Sequence, residues 1–102
     1  MYLEAWNRLT ERFEIEETYK PQTFGDAADK LSEYFEYLLR NDTSKLMNGL
    51  YRIDVKEDLV KEAFAQGNMT DIADALARLA LRREWEKQKM RERWSKMDGG
   101  DL

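Results

Sequence analysis

Apolar residues recur at helical intervals from the start of the chain. Four large side chains are separated by four, three and four positions: Tyr2, Trp6, Leu9 and Phe13. This spacing predicts an amphipathic helix, because residues three and four apart share one helix face. The helix should end before Pro21, whose ring removes a backbone donor. Residues 13–16 alternate apolar and acidic side chains and could also form a short strand, but no nearby segment would pair with it.

A second helix is predicted from a capping signal after Pro21 to about Arg40. Thr23 is followed three residues later by Asp26, a box-like combination whose side chains can satisfy free N–H groups at a helix start. Beyond it the apolar residues keep helical spacing: Ala27, Ala28, Leu31, Tyr34, Phe35, Leu38 and Leu39. Polar residues 41–43 then interrupt the pattern with side chains suited to capping.

Residues 43–55 allow two interpretations. A short third helix is indicated by an apolar stripe: Leu46, Met47, Leu50 and Tyr51. Alternatively, Asn-Gly at 48–49 is a favoured two-residue hairpin turn, and residues 51–56 alternate apolar and charged side chains. We favour the helix because residues 43–47 do not alternate and an isolated hairpin is only marginally stable.

Two further helices are predicted after residue 54. Asp54 and Glu57 form a second capping signature. The fourth helix should end at Gly67 and should face the core with four side chains: Leu59, Val60, Ala63 and Phe64. Asn68 or Thr70 then caps a fifth helix that nothing interrupts before residues 99–100, which are both glycine.

The fifth helix is longer than a compact body requires. From residue 69 to 97 it would extend about 43 Å at about 1.5 Å per residue, whereas a folded chain of this size has a radius of gyration of about 13 Å. We therefore expect Trp85 to complete the core and the end of the helix to project beyond it. Trp94 falls on the side opposite Trp85 and forms an apolar stripe with Met90 and Met97. A helix lying on a membrane would need both tryptophans on one side, so no membrane contact is expected.

Together these patterns predict an all-α fold, a compact orthogonal bundle of about five helices with a long C-terminal helix. Hydrophobic residues make up 42% of the chain and charged residues 37%, with one proline, which is a globular composition of helix-forming type. The length suits one hydrophobic core. We expect a single domain over residues 1–97 and a mobile tail over residues 98–102.

The end of the fifth helix is basic, whereas the rest of the chain is acidic. Residues 1–77 carry 16 acidic and 9 basic side chains, and residues 78–97 carry 3 acidic and 8 basic ones. This asymmetry favours contact with an acidic partner or with the acidic body of a second copy. The candidate partner-binding residues are Met90, Trp94, Met97, Arg83, Lys87 and Arg91. They could instead form a solvated face or contact nucleic acid, although three glutamates interrupt the basic segment.

The chain contains neither cysteine nor histidine. It therefore cannot form disulfides, ordinary zinc sites or the serine-histidine and cysteine-histidine arrangements of nucleophilic catalysis. No apolar run approaches the roughly 20 residues that span a bilayer, and the N-terminus does not resemble a signal peptide. We expect a cytoplasmic, non-enzymatic protein with no cofactor.

Carboxylates are the remaining candidates for catalytic chemistry. The second helix carries four along one ridge, and Mg²⁺ prefers such oxygen ligands: Asp26, Asp29, Glu33 and Glu36. Residues 33–36 resemble the ExxE half of the motif of the all-α nucleoside triphosphate pyrophosphohydrolases. Residues 71–74 would supply the ExxD half, with aspartate replacing the first glutamate and a longer spacer. The resemblance implies a magnesium site at Glu33, Glu36, Asp71 and Asp74; the alternative is a solvated acidic face.

Several segments also resemble a type of small, uncharacterised bacterial helical protein. The resemblance rests on residues 50–55 (LYRIDV), 71–77 (DIADALA) and 82–85 (RREW), and it covers about residues 38–94. It implies no activity, but it implies that residues 48–49 are helical, in agreement with the periodicity. The sequence thus predicts a protein–protein interaction or structural module that self-associates, as a homodimer, through its basic C-terminal helix.

Overall fold

Five helices make up the regular structure of the described chain. The computed structural model describes the backbone of residues 2–16 and 18–101, and the side chains among these as far as Ser95. The helices are α1 (Tyr2–Arg12), α2 (Phe24–Asn41), α3 (Thr43–Arg52), α4 (Glu57–Phe64) and α5 (Met69–Asp101). No strand occurs within the described ranges. The predicted all-α class with a long C-terminal helix is confirmed.

Helix α5 forms the long axis of the molecule. Its 33 residues correspond to about 50 Å of helix, and the molecule measures 51 × 31 × 21 Å with a radius of gyration of 14.4 Å. The helix continues to Asp101, beyond the end at residue 97 that we expected. The described helices include none that is long and apolar enough to cross a membrane. The mobility expected of residues 98–102 stays a prediction.

Polar side chains cap the N-termini of three helices, as the sequence indicates. The Thr23 hydroxyl accepts a hydrogen bond from the Asp26 N–H at 3.0 Å, and Asp42 accepts from the Lys45 N–H at 3.1 Å. Of the two candidates for the start of α5, Asn68 is the cap, because its Oδ1 accepts from the Asp71 N–H at 2.8 Å. These bonds satisfy N–H groups that have no partner within the helix.

The helix start predicted from the capping signature at Asp54 and Glu57 is wrong. Helix α4 begins after Lys56, whose side chain makes no capping hydrogen bond. Asp54 instead lies in the left-handed region, with φ of 65°, and closes the end of α3. The Asp54 N–H donates to the Tyr51 carbonyl at 3.1 Å and the Val55 N–H donates to the Leu50 carbonyl at 3.4 Å. This pair of bonds is a Schellman motif, which usually has glycine at the left-handed position.

The same motif ends α1, with Glu14 at the left-handed position and φ of 57°. The Glu14 N–H donates to the Glu11 carbonyl at 3.1 Å, and the Ile15 N–H donates to the Thr10 carbonyl at 2.7 Å. Phe13 before it is buried, and Ile15 after it packs against the core. The alternation that could have been a short strand at residues 13–16 is therefore the end of a helix.

The core lies between α5 and the four shorter helices. Helix α5 packs most extensively against α2 and also against α1 and α4, while α3 packs against α2. Trp6, Phe13 and Phe35 are buried as their spacing predicts, and the Phe13 and Phe35 ring centroids are 5.0 Å apart. The expected core positions on α3 and α4 are wrong in part, because four of them are exposed: Met47, Tyr51, Leu59 and Phe64.

Residues 48–49 are helical, which settles the choice between helix and hairpin. Gly49 is buried within α3, and a Cβ atom built on it would overlap the ring of Phe13. Glycine is therefore placed here for a close approach between α3 and the end of α1, and not for a turn. The tyrosine hydroxyl of Tyr34 donates to the Phe13 carbonyl at 3.3 Å and joins α2 to the same point.

Candidate interaction surface

The buried face of α5 ends one turn beyond Trp85. Glu84 and Gln88 are its last buried residues, and every side chain from residue 89 to Ser95 is exposed. We call residues 89–95 the α5 arm. Within the arm, Met90 is 50% exposed and Trp94 is 60% exposed. The projecting helix end predicted from its length is therefore confirmed; the side chain of Met97 lies outside the described ones.

Trp85 occupies the opposite flank of α5 and is half-buried against the core. The ammonium group of Lys89 lies 4.2 Å from the centroid of its ring, a cation–π contact. Trp85 therefore belongs to the body of the domain, as predicted, and Lys89 covers part of its remaining surface. The apolar stripe of the arm is separate from this contact.

The three basic residues proposed for partner binding all contact the body of the same molecule. Arg83 donates to the Asp54 carbonyl at 3.1 Å and to the Asp54 carboxylate at 3.3 Å. Lys87 donates to the Ile53 carbonyl at 3.3 Å. Arg91 lies 3.9 Å from a carboxylate oxygen of Glu84. Arg83 and Lys87 thus fix α5 to the end of α3, and Arg91 is paired with a carboxylate of α5 itself. All three cations are therefore less available to another molecule.

Glu84 is a structural residue that the sequence pattern does not reveal. Its side chain is 1% exposed, and it is paired with Lys87 at 3.5 Å as well as with Arg91. Gln88, one turn later, is also buried, and its Oε1 has no hydrogen-bond partner among the described residues. Both residues continue the face that Leu81 begins, at positions three and seven further on. Their helical spacing from Leu81 could have indicated that both residues are buried. Because both side chains are polar, a search for apolar positions does not detect them.

A groove of about 700 Å³ lies between α3, α4 and α5. Its apolar lining includes the α3 and α4 side chains that the core does not cover, above all Met47, Tyr51 and Leu59. Tyr51 is 86% exposed and Leu59 is 38% exposed. Leu79 lines the α5 side of the groove, where charged neighbours border it: Arg82, Arg83 and Glu86. We call this surface the α3–α4–α5 groove.

The α5 wall of the groove and the apolar stripe of the arm lie on one face of the helix. Successive residues of an α-helix are rotated by about 100°. On that basis five residues fall within about 80° of arc: Leu79, Arg83, Glu86, Met90 and Trp94. A single face of α5 thus forms the wall of a groove along one part and an exposed apolar ridge along the next.

The four carboxylates of the implied magnesium site are not brought together. Glu33 pairs with Lys30 at 3.8 Å and Glu36 pairs with Arg40 at 3.1 Å. Asp71 accepts a hydrogen bond from the side chain of Asn68 at 2.9 Å, and Asp74 pairs with Arg78. The described residues include no group of three or more acidic side chains placed to hold a metal ion. Each of these carboxylates is engaged by a neighbour in its own helix or cap.

Comparison of the chain with protein-family models, with curated proteins and with solved structures found no match. The arm and the groove are therefore interpreted from their own geometry. Two features stand out on the described surface. One is a projecting helix end with large apolar side chains, and the other is a groove lined by apolar residues that the core leaves uncovered.

Proposed function

We propose that this protein is a non-enzymatic interaction module that self-associates through the α5 arm. The observation that carries the proposal is the exposure of Met90 and Trp94 on a helix end that projects beyond its own core. Tryptophan and methionine are enriched at protein interfaces, and a tryptophan that inserts into a partner is a common centre of binding energy.

The charges of the arm favour the body of a second copy as the partner. Arg91 is paired with Glu84, but Lys89 and Arg93 still outnumber Glu92 in the arm, whereas residues 1–77 have an excess of acidic side chains. Two arms packed directly on each other would bring like charges together, which is unfavourable. An arm packed on the body of another copy meets the opposite charge. The chain's lack of cysteine fits a cytoplasmic location, which we include in the proposal.

Sedimentation velocity at micromolar concentration tests self-association. We expect a concentration-dependent dimer, and we expect the double substitution Met90→Ser and Trp94→Ser to weaken it roughly tenfold or more, because the main apolar anchors are lost. Met69→Ser is the matched control. Met69 is 42% exposed at the other end of the same helix, so its loss should leave the dimer intact. A wild-type chain that sediments as a monomer at all concentrations would contradict the proposal.

The two other functions considered have less support. Nucleic-acid binding depends on free cations, but Arg83, Lys87 and Arg91 are paired within the molecule. A magnesium-dependent hydrolase requires facing carboxylates, and Glu33 and Glu36 are paired along their own helix instead.

A further inference from the structure

We infer that the α5 arm of one copy docks in the α3–α4–α5 groove of a second copy, and that the exchange is reciprocal. This inference rests on the self-association proposed above and names the surface that receives the arm. The contact would follow the helix-in-groove mode, in which apolar residues one turn apart on a helix enter an apolar groove. Met90 and Trp94 have that spacing, and Met47, Tyr51 and Leu59 supply an apolar lining.

The face of α5 is complementary to itself under a two-fold axis. Its Leu79 part is concave because α3 and α4 rise beside it, and its Met90 and Trp94 part is convex because none of the described side chains covers it. A two-fold dimer uses the same patch on both copies, so such a patch must contain both a receiving and an inserting surface. Antiparallel packing of two α5 helices along this face places each arm at the groove of the other copy.

The spacing of residues along α5 sets the register of this arrangement. Trp94 lies 15 residues after Leu79, which is about 22 Å along the helix axis. When Trp94 of one copy lies beside Leu79 of the other in antiparallel packing, the midpoint falls between Glu86 and Lys87. Lys87 is already held by the Ile53 carbonyl of its own copy, and Arg83 lies 3.9 Å from Glu86, so the charges near this midpoint are paired within each copy.

Helix α4 gives the groove an acidic flank, although the charged residues that line the groove itself are balanced: Asp54, Glu57 and Glu86 against Lys56, Arg82 and Arg83. Helix α4 contains Glu57, Asp58 and Glu62 against a single basic residue, Lys61. The arm carries three basic residues and one acidic residue.

A second, smaller cleft of about 280 Å³ lies between α1 and α2, beside Tyr34 and Tyr37. No described residue of α5 lines that cleft. An arm docked there would not share one continuous surface with its receiving site, as a two-fold dimer requires.

Substitutions in the groove test where the arm docks. We expect Leu59→Arg to weaken the dimer roughly tenfold or more, because it removes an apolar contact and opposes the basic arm. Leu3→Arg is the matched control, since Leu3 and Leu59 are both 38% exposed. Tyr51→Arg is a second groove variant that does not threaten folding, because Tyr51 is 86% exposed. It should weaken the dimer in the same way.

A mixing experiment separates this inference from self-association itself. The Met90→Ser, Trp94→Ser chain has an intact groove, and the Leu59→Arg chain has an intact arm. At a protein concentration too low for either variant to dimerise alone, the mixture should form a heterodimer through one arm in one groove, with a blue shift of Trp94 fluorescence from the second chain. A dimer that needs the arm but is unaffected by Leu59→Arg and Tyr51→Arg overturns the inference and leaves the proposed function standing. A monomeric wild type overturns both.

Discussion

The contact between Gly49 and Phe13 shows how one residue sets the distance between two helices. Phe13 is fully buried at the end of α1, and its ring lies directly over the backbone of α3 at Gly49. Glycine in the middle of a helix lowers its stability, since alanine is favoured there by about 1 kcal/mol. Glycine is nevertheless required at this position, because the Phe13 ring fills the space that a Cβ atom would occupy.

Gly49→Ala is therefore expected to destabilise the fold by about 1 kcal/mol, after the better helix propensity of alanine has offset part of the overpacking cost. The added methyl group forces the Phe13 ring out of its place, and such overpacking typically costs about 1–3 kcal/mol. Urea denaturation followed by circular dichroism measures the change.

Gly25→Ala serves as the control for Gly49→Ala. A Cβ at Gly25 would meet only the Thr23 hydroxyl oxygen, at 3.7 Å, an ordinary van der Waals distance. We expect this variant to be as stable as the wild type or slightly more so. Equal effects of the two alanines would contradict the role assigned to Phe13.

Helix ends explain two patterns that resemble strands in the sequence. Phe13-Glu14-Ile15 and Ile53-Asp54-Val55 each place a buried residue, a left-handed exposed residue and a half-buried residue in succession. The outer two residues of each set contact the core while the acidic residue between them faces solvent. The period of two thus arises from a Schellman motif at the end of α1 and of α3, without any strand pairing.

Glu14→Gly is expected to stabilise the domain by about 1 kcal/mol. A side chain in the left-handed region carries a steric cost of about 1–2 kcal/mol, which glycine does not have. The pair between Glu14 and Lys45 that would be lost is 3.8 Å long and its Glu14 side chain is 80% exposed, so it contributes little. Thermal unfolding measures the difference.

Glu16→Gly is the matched control for this helix end. Glu16 is also an exposed glutamate just after α1, but its φ is not positive. Glycine there should give no gain and should lower stability slightly, through the greater freedom of the unfolded chain. A Glu14→Gly variant that is no more stable than Glu16→Gly would show that the left-handed backbone is not strained.

At the scale of the whole molecule, α5 is divided between a structural part and the projecting arm. Burial continues through Gln88, and the charged contacts of the buried Glu84 reach as far as Arg91. Beyond that point no described side chain is buried. The remaining length is too long for the body to cover, and this mismatch is what makes the end of the helix available to a second molecule.

Truncation after Glu92 is expected to leave the stability of the monomer within about 0.5 kcal/mol of the full chain, because the described side chains that it removes, those of residues 93–95, are all exposed. The same truncation should abolish the dimer, since it removes Trp94. Urea denaturation, at a protein concentration too low for dimer formation, measures the stability of the monomer. Sedimentation velocity measures the loss of the dimer. Truncation after Leu81 provides the contrast, because it removes Glu84, Trp85 and Gln88 and should destabilise the fold strongly.

The sequence by itself determined the helices, their order and most of their ends. Helical periodicity and the capping residues Thr23, Asp42 and Asn68 act through neighbours along the chain, so they can be recognised without knowing the fold. The projection of the end of α5 beyond the core followed in the same way, from the rise of a helix compared with the size of a folded chain of 102 residues, although α5 ends at Asp101 and not at residue 97.

Only the tertiary structure decided which apolar side chains the core covers and which charges are already paired. Met47, Tyr51 and Leu59 have the same spacing as buried residues, yet they line a groove because no helix packs over them. Arg83 contacts Asp54, 29 residues away, and Glu84 is buried in spite of its charge. Burial and ion pairing depend on segments far apart in the sequence, and local periodicity carries no information about where those segments meet.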